Sequence, residues 1–421
     1  MQEFPVLSAG RPTGGDVDKR QTRQLALLVA ANTALAPLAI DAYLPALPAM
    51  AEALDTSVHH TELSLSIFLL GFSLGQLIFG PLSDRIGRKP VLLSGIFVFL
   101  LASLAITQVD SLEGLYALRF VQALGGGASV VNSSAIVRDC FSGREAAKVL
   151  STVAVIMMLA PLIAPAIGSL LLGLAGWWLI FAFLAAYAAF LLVVLPFRLP
   201  ETRRHREADE PPASIAQVAR DYVSVMRHGP AMGYAITQAM GFGGMFAFIT
   251  ASPYVYMEHF GVTASWYPAL FGANILFMFT ANRLNVRLLS RMSPPRLLRI
   301  GIGIQLLAAC LLVLALALGL DHLALMAPLL MLFVGANGMV APNAISSALE
   351  YFPRISATAN ALIGSLQFAS GALIGMLIAG LALDSLWPMI LGMLGTALVS
   401  NILLRVLAGR RALARHAAPS D

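Results

Sequence analysis

Leu38-Ala-Ile-Asp41-Ala-Tyr43-Leu-Pro45-Ala-Leu-Pro48 closes an apolar run that extends over residues 24–50. A helix needs about 20 apolar residues to cross a bilayer, so the run is long enough to span one. It nevertheless carries a carboxylate and, with Pro37, three prolines, none of which is cheap where water is absent. The rest of the chain settles the setting. Of 421 residues, 58% are hydrophobic and 12% charged, with a mean hydropathy of +0.80, well outside ordinary soluble composition. Twelve such runs follow one another, at 24–50, 61–82, 90–108, 112–137, 147–174, 177–197, 229–257, 264–289, 297–319, 323–349, 355–382 and 386–407. The expected fold class is an all-α integral membrane protein with twelve transmembrane helices.

Residues 1–23 are polar and read as a tail, with Gly10, Pro12, Gly14 and Gly15. The run behind them is too long for a signal-peptide core and lacks a clear cleavage site, so the first span is expected to be retained. Cys140 and Cys310 are the only cysteines, which implies no disulfide framework or cysteine-based metal site. Residues 198–228 are the longest charged interruption, PETRRHREADEPP followed by SIAQVARDYVSVMRHG, and divide six spans (24–197) from six (229–408). They read as a solvated cytoplasmic linker, and 409–421 as a second tail.

The net charge of +5 does not point to nucleic acid once it is sorted by side. Lys and Arg fall in the first tail, after the second span (Arg85, Arg88, Lys89), around Arg138–Lys148, in Arg198–Arg227, in Arg283–Arg299, at Arg354, and in Arg405–Arg415. The intervening segments 51–60, 109–111, 175–176, 258–263, 320–322 and 383–385 hold none. By the positive-inside rule both termini are expected in the cytoplasm, in a bacterial-type inner membrane.

A weak internal repeat lays Asn132-Ser-Ser-Ala-Ile-Val-Arg-Asp139-Cys-Phe141 over Asn343-Ala-Ile-Ser-Ser-Ala-Leu-Glu350-Tyr-Phe352, with Asn, an acid and Phe at equal spacing. Two six-helix halves are a common transporter plan, with the substrate cavity between them near the midplane.

Several motifs now resemble the major facilitator superfamily, and within it the twelve-helix drug:proton antiporters of the bicyclomycin-resistance (Bcr/CflA) group. Gly80-Pro-Leu-Ser-Asp84-Arg85-Ile-Gly87-Arg88-Lys89-Pro90 is similar to the loop motif after the second helix. Leu118-Arg119-Phe-Val-Gln122-Ala123-Leu-Gly125 is similar to the fourth-helix motif, and Ala164-Pro165-Ala-Ile-Gly168 to the antiporter motif of the fifth. Ala123 and Ala164 depart from both, standing where glycine is usual. LAIDAYLPALP, residues 243–262 and LWPMI (386–390) point to the bicyclomycin-resistance group. The resemblance implies two six-helix pseudo-repeats, no enzyme activity, and no cofactor beyond the proton as coupling ion.

An ionised group inside a span costs roughly 2.5–3.5 kcal/mol on insertion scales, so those present need a reason. Away from helix ends, Asp41 and Arg119 are the two found, and no histidine. Asp41 lies ~14 Å before the outer end at Met50 and Arg119 ~10 Å after Leu112, at 1.5 Å rise per residue, so the two reach similar depth. A carboxylate facing an arginine holds its charge and takes a proton when the partner leaves or the site dries. The bland alternative is a permanent ion pair that ties two helices together. The resemblance implies proton coupling at the first-helix acid. Pro37 and Pro45 each remove a backbone donor and are expected to kink the helix around Asp41. Pro165 and Gly168 are expected to bend the fifth span. The loop residues Gly80, Asp84, Arg85, Gly87 and Arg88 are expected to form a conformational latch, with Asp139 meeting Arg88 and, by the resemblance, Asp84 facing the start of the eleventh helix near Arg354.

Polar and aromatic residues set in apolar helices suggest a substrate pocket: Asn32, Tyr43, Gln122, Asn132, Met157, Pro161, Gln238, Phe246, Tyr254, Asn274, Asn337 and Gln367, with Tyr234 as a further lining residue. Such a pocket suits amphipathic drugs held by area and a few hydrogen bonds. A phosphate-binding loop and a His-Glu-x-x-His motif are both absent from the sequence, and the seven histidines read as loop or tail residues, against an ATP-driven pump or an intramembrane enzyme. The expectation is a monomeric proton-driven exporter of small antimicrobials, whose partners are drugs, protons and the bilayer. The alternative is a proton-coupled importer of the same fold.

Overall fold

The computed structural model describes residues 19–140, 143–199, 201, 215–353, 355–381 and 384–415. Its helices are α1 (Lys19–Asp41), a 3-10 turn (Leu44–Ala46), α2 (Leu47–Ala53), α3 (Val58–Ile86), α4 (Arg88–Ile106), α5 (Leu112–Cys140), α6 (Gly143–Ala175) and α7 (Trp178–Arg198). The linker contributes α8 (Ile215–Arg227). The second half comprises α9 (Gly229–Pro253) with a π-helical turn (Tyr254–His259), α10 (Tyr267–Leu288), α11 (Pro294–Ala317), α12 (Leu323–Gly335), α13 (Asn337–Leu349), α14 (Ser356–Leu381) and α15 (Trp387–Arg415). With α1 and α2 as one broken span, and α12 and α13 as another, twelve spans result. Among the described residues nine are long and apolar enough to cross a bilayer on composition alone. The other three are α6, whose described apolar part is Leu159–Ala175, and α9 and α10, diluted by glycine, asparagine or arginine.

Small residues set the packing inside each half. A Cβ on Gly75 would lie 2.7 Å from the Leu124 carbonyl and one on Gly127 would lie 2.7 Å from the Phe72 carbonyl, so α3 and α5 meet backbone to backbone. In the second half a Cβ on Gly338 would collide with the Met278 carbonyl, bringing α13 equally close to α10. Ala123, where the related motif has glycine, is tolerated because Gly71 faces it. The internal repeat is visible in hydrogen bonds: Asn132 Nδ2 donates to the Ala128 carbonyl and Asn343 Nδ2 to that of Met339, each four residues back and each at 2.7 Å.

The halves meet along α3 against α14 and α6 against α10. Ser73 and Ser365 exchange reciprocal hydroxyl-to-carbonyl bonds of 2.9 and 3.0 Å across the first seam. Leucines, valines and phenylalanines such as Val193, Phe197, Leu373 and Val406 are exposed, the side chains a lipid surface accepts.

Candidate proton and substrate site

The first span is broken at the carboxylate. α1 continues through Pro37 and ends at Asp41; Ala42 and Tyr43 form a turn before the 3-10 segment. The cause is Pro45, which has no N–H to offer the Asp41 carbonyl four residues earlier, while Pro48 withholds one from Leu44. α6 presses on the break, since a Cβ at Gly168 would collide with the Ala42 carbonyl. Gly168, expected as a bend, is also a point of close approach, and Pro161 and Pro165 lie within the single helix α6. Asp41 is 3% exposed and, among the described residues, its carboxylate makes no hydrogen bond or ion pair.

Arg119 lies level with it but does not face it. Its Nη2 donates to the Ala39 carbonyl at 3.1 Å and its Nη1 to Gln122 Oε1 at 2.6 Å. Gln122 Nε2 in turn reaches Ser103 Oγ at 2.7 Å. The guanidinium is stacked between rings, 4.3 Å from the Tyr43 centroid and 4.2 Å from that of Phe68, with Phe181 at 5.8 Å. Past Asp41, Tyr43 of the turn, and not the carboxylate, lies over Arg119. The permanent ion pair weighed from the sequence is therefore not formed.

From Arg119 a series of rings crosses between the halves. Phe68 stacks on Phe72 at 6.0 Å, Phe72 meets Phe368 at 4.6 Å, Phe368 meets Phe242 at 5.1 Å, and Phe242 stacks on Phe246 at 4.6 Å. Beside them Gln238 Nε2 donates to Gln367 Oε1 at 2.9 Å. Gln238 Oε1, Asn337 Nδ2, Asn274 Oδ1 and Gln76 Nε2 are buried without a partner among the described residues, as is Arg119 Nε. Such atoms cost free energy unless something else meets them. Asn337 lies against Gly241 of α9, and Met157 and Pro161 are half-buried on α6. Two of the residues expected to line a pocket are committed elsewhere: Asn32 is bonded to Ser129 and Ser133, holding α1 to α5, and Tyr254 lies at the lysine- and arginine-free end against His59. Asn132 Nδ2 donates back to its own helix, as Asn274 Nδ2 does, and Asn132 Oδ1 is buried without a partner among the described residues. Tyr234 stacks near Tyr351 at 6.4 Å, toward the basic end.

At that basic end Arg88 bridges Asp139, Nε to Oδ2 at 3.3 Å, and donates from Nη1 to Ser83 Oγ at 2.7 Å. Gly87 has φ +123°, a region that excludes most side chains, whereas a Cβ at Gly80 would meet Val131 at an ordinary 3.5 Å. Glu201, from the linker, accepts the backbone N–H groups of Arg88 and Lys89 at 2.9 and 3.1 Å, capping the start of α4. Arg85 is exposed. The Asp84 side chain and Arg354 lie outside the described residues.

Two ionisable residues escaped the sequence reading. Glu62 is 1% exposed within α3, and His59, read as a loop residue, is in the first turn of the same helix and buried. Their positions at the edge of an apolar run resemble any solvated helix end, and only the packing of the second half distinguishes them.

A sequence profile of the Major Facilitator Superfamily matches residues 29–376. The chain is 37% identical over 369 residues to the Bicyclomycin resistance protein homolog of Haemophilus influenzae, covering 88% of this chain and 92% of that protein. It is 32% identical over 387 residues to the Chloramphenicol resistance protein of Pseudomonas aeruginosa, covering 89% and 88% respectively. The crystal structure of a D-xylose-proton symporter superposes with a TM-score of 0.69 over 90% of this chain and 96% of that one, at 15% identity, a likeness of fold alone. With its twelve spans in two halves, its loop and helix motifs and these relatives, the chain belongs to the major facilitator superfamily, as a multi-pass membrane transporter and not an enzyme.

Proposed function

We propose that the protein is a proton-driven antiporter that exports small amphipathic antimicrobials of the bicyclomycin and chloramphenicol class by alternating access, with Asp41 as the protonation site. The observation that carries this reading is the unpartnered Asp41 carboxylate, buried at the broken end of α1 and level with Arg119. A buried carboxylate without a partner is tolerated only when it carries a proton, and it can give that proton up only when water or a polar ligand reaches it. Alternating access supplies such water from one side at a time. The sorted charges support cytoplasmic termini in the inner membrane, with the lysine- and arginine-free ends outside. The ring series and the unpartnered atoms Gln238 Oε1 and Asn337 Nδ2 support a site that recognises flat, weakly polar molecules by area and a few hydrogen bonds. Arg119 holds the turn in place, and the Arg88–Asp139 bridge with the Glu201 cap supports a latch at the cytoplasmic end.

The test is Asp41→Asn in inverted vesicles loaded with a pH-sensitive dye. The wild type is expected to release protons from the acidified lumen on addition of drug, and the variant to lose this while remaining folded. Drug-triggered proton release that is unchanged in the variant sinks the assignment. Proton movement driven only by uptake of a nutrient establishes the importer reading instead.

A further inference from the structure

We infer that His59 and Glu62 form a second proton-binding site, at the outer junction of the two halves, and that this junction is held closed while the proton is bound. The inference rests on the orientation and antiport proposed above. His59 Nδ1 lies 3.4 Å from Glu62 Oε2, and His59 Nε2 lies 3.3 Å from Asp384 Oδ1. A neutral imidazole has one N–H, so in either tautomer one ring nitrogen turns its lone pair toward a carboxylate. Both contacts become attractive only when an extra proton is present, on the ring or on one carboxyl. The closed cluster therefore holds a proton that the separated residues do not share.

The cluster also spans the moving seam. His59 and Glu62 belong to α3 in the first half; Asp384 and Tyr254 belong to the second. Glu62 Oε1 accepts the Tyr254 backbone N–H at 3.4 Å, and the Tyr254 ring lies 4.7 Å from the imidazole. Glu62 is buried, while the Asp384 side chain is 91% exposed, so protons arrive from the outer water by way of Asp384. Parting the halves here breaks the His59–Asp384, Glu62–Tyr254 and His59–Tyr254 contacts together and leaves only the His59–Glu62 pair within α3. No lysine or arginine occurs in the segments at this end, so no fixed cation substitutes for the imidazolium. The titratable groups around it are Glu62 and the exposed His60 on its own helix, Asp384, and Tyr254 with Glu258 and His259 behind it, the last paired with Asp321. Glu52 of α2 and Glu113 of α5, on the flanking elements, are exposed.

A closed state that binds one proton more than the open state is favoured at low outer pH. Its advantage is full below the ordinary imidazole range near ~6.5 and is lost as pH rises above that range, by at most about tenfold per pH unit. The proton passes from outer water to the His59 ring and returns to that water when the junction opens, so it is not itself transported. Acid outside thereby drives the reset to the inward-facing state, the step at which an antiporter has released its drug.

The experiment places spin labels at Gln108 and Leu320, exposed outer positions in opposite halves, in full-length protein carrying Cys140→Ser and Cys310→Ser, in lipid nanodiscs. Distance distributions from about pH 5.5 to about pH 8.5 are expected to show the closed population falling at least tenfold relative to the open one. His59→Gln and Glu62→Gln are expected to reduce that change below about twofold. Asp384→Asn, at an exposed position that does not endanger folding, is expected to reduce it severalfold. In an Asp41→Asn background the His59-dependent part of the change is expected to persist, while drug-triggered proton release, scored separately, tests the antiport reading, so the two failures are distinguishable. Wild-type pH dependence in His59→Gln or in Asp384→Asn overturns the inference, as does a change that Asp41→Asn alone abolishes.

Discussion

Replacing Arg119 by lysine keeps the charge and removes the plane. The guanidinium carbon is 4.3 and 4.2 Å from the Tyr43 and Phe68 ring centroids, a slot that a flat cation fills and a tetrahedral ammonium does not. Each desolvated stack contributes about 2 kcal/mol, and a lysine head retains the attraction to one ring at best. Arg119 also donates from two nitrogens, to Gln122 Oε1 and to the Ala39 carbonyl. An ammonium on a shorter reach satisfies one of these, leaving a buried acceptor orphaned at about 1–3 kcal/mol. The expected loss is therefore about 3–5 kcal/mol. Reversible denaturant unfolding in detergent, followed by tryptophan fluorescence, measures it. Tyr43→Phe is the comparison: it retains the ring and loses the hydroxyl, which reaches Ser64 Oγ at 3.2 Å and also lies within hydrogen-bonding range of the Arg119 side chain, for about 1–2 kcal/mol. If Arg119→Lys unfolds within about 1 kcal/mol of wild type, the stacked slot contributes little and the reasoning from its geometry is wrong.

Two glycines give further expectations. Gly168→Ala drives a methyl into the Ala42 carbonyl, a backbone atom that cannot rotate away, so overpacking of about 1–3 kcal/mol is expected together with reduced drug efflux. Unfolding and vesicle transport of the same preparation check it, and wild-type behaviour in both refutes the close approach. Gly87→Ala adds a side chain at φ +123° and places its Cβ 2.8 Å from Glu201 Oε2. The strain of roughly 1–3 kcal/mol is expected to loosen the start of α4, read as faster hydrogen exchange at Arg88 and Lys89. Gly80→Ala, which meets only Val131, is expected to exchange as the wild type does.

The spans were legible because a bilayer imposes one rule on every helix, and Asp41 was legible because that rule makes an isolated carboxylate conspicuous. The prolines flagged a disturbed helix there. What they did not reveal was that the break falls directly after Asp41 and turns Tyr43, not the carboxylate, over Arg119. Depth along a helix axis can be counted from sequence; rotation around a broken helix cannot. Glu62 shows the other limit. Its burial comes from Tyr254, 192 residues away, so the local pattern presented it as an ordinary helix-end acid. The repeat was faint in letters, yet the matched asparagines make the same bond in both halves, because that bond depends on one side chain and its own helix.

The turn that carries Asp41 is not free to move alone. Arg119 of α5 holds it at the Ala39 carbonyl, the Tyr43 ring lies under the same guanidinium, and Gly168 of α6 is wedged against Ala42. α6 in turn contacts the second half at two levels: Leu162 packs where Gly272 leaves room on α10, and Ser169 Oγ donates to the Ala264 carbonyl at 2.8 Å. Contacts made backbone to backbone through glycine have no soft side chain to absorb a displacement. On the proposed reading, in which Asp41 exchanges protons, a shift of the turn is passed to α6 as a body, since close-packed seams switch between arrangements and do not deform continuously. The same reading then requires that a change of charge at one carboxylate move a helix against the opposite half, and the first span is broken at the residue where the reading places that change.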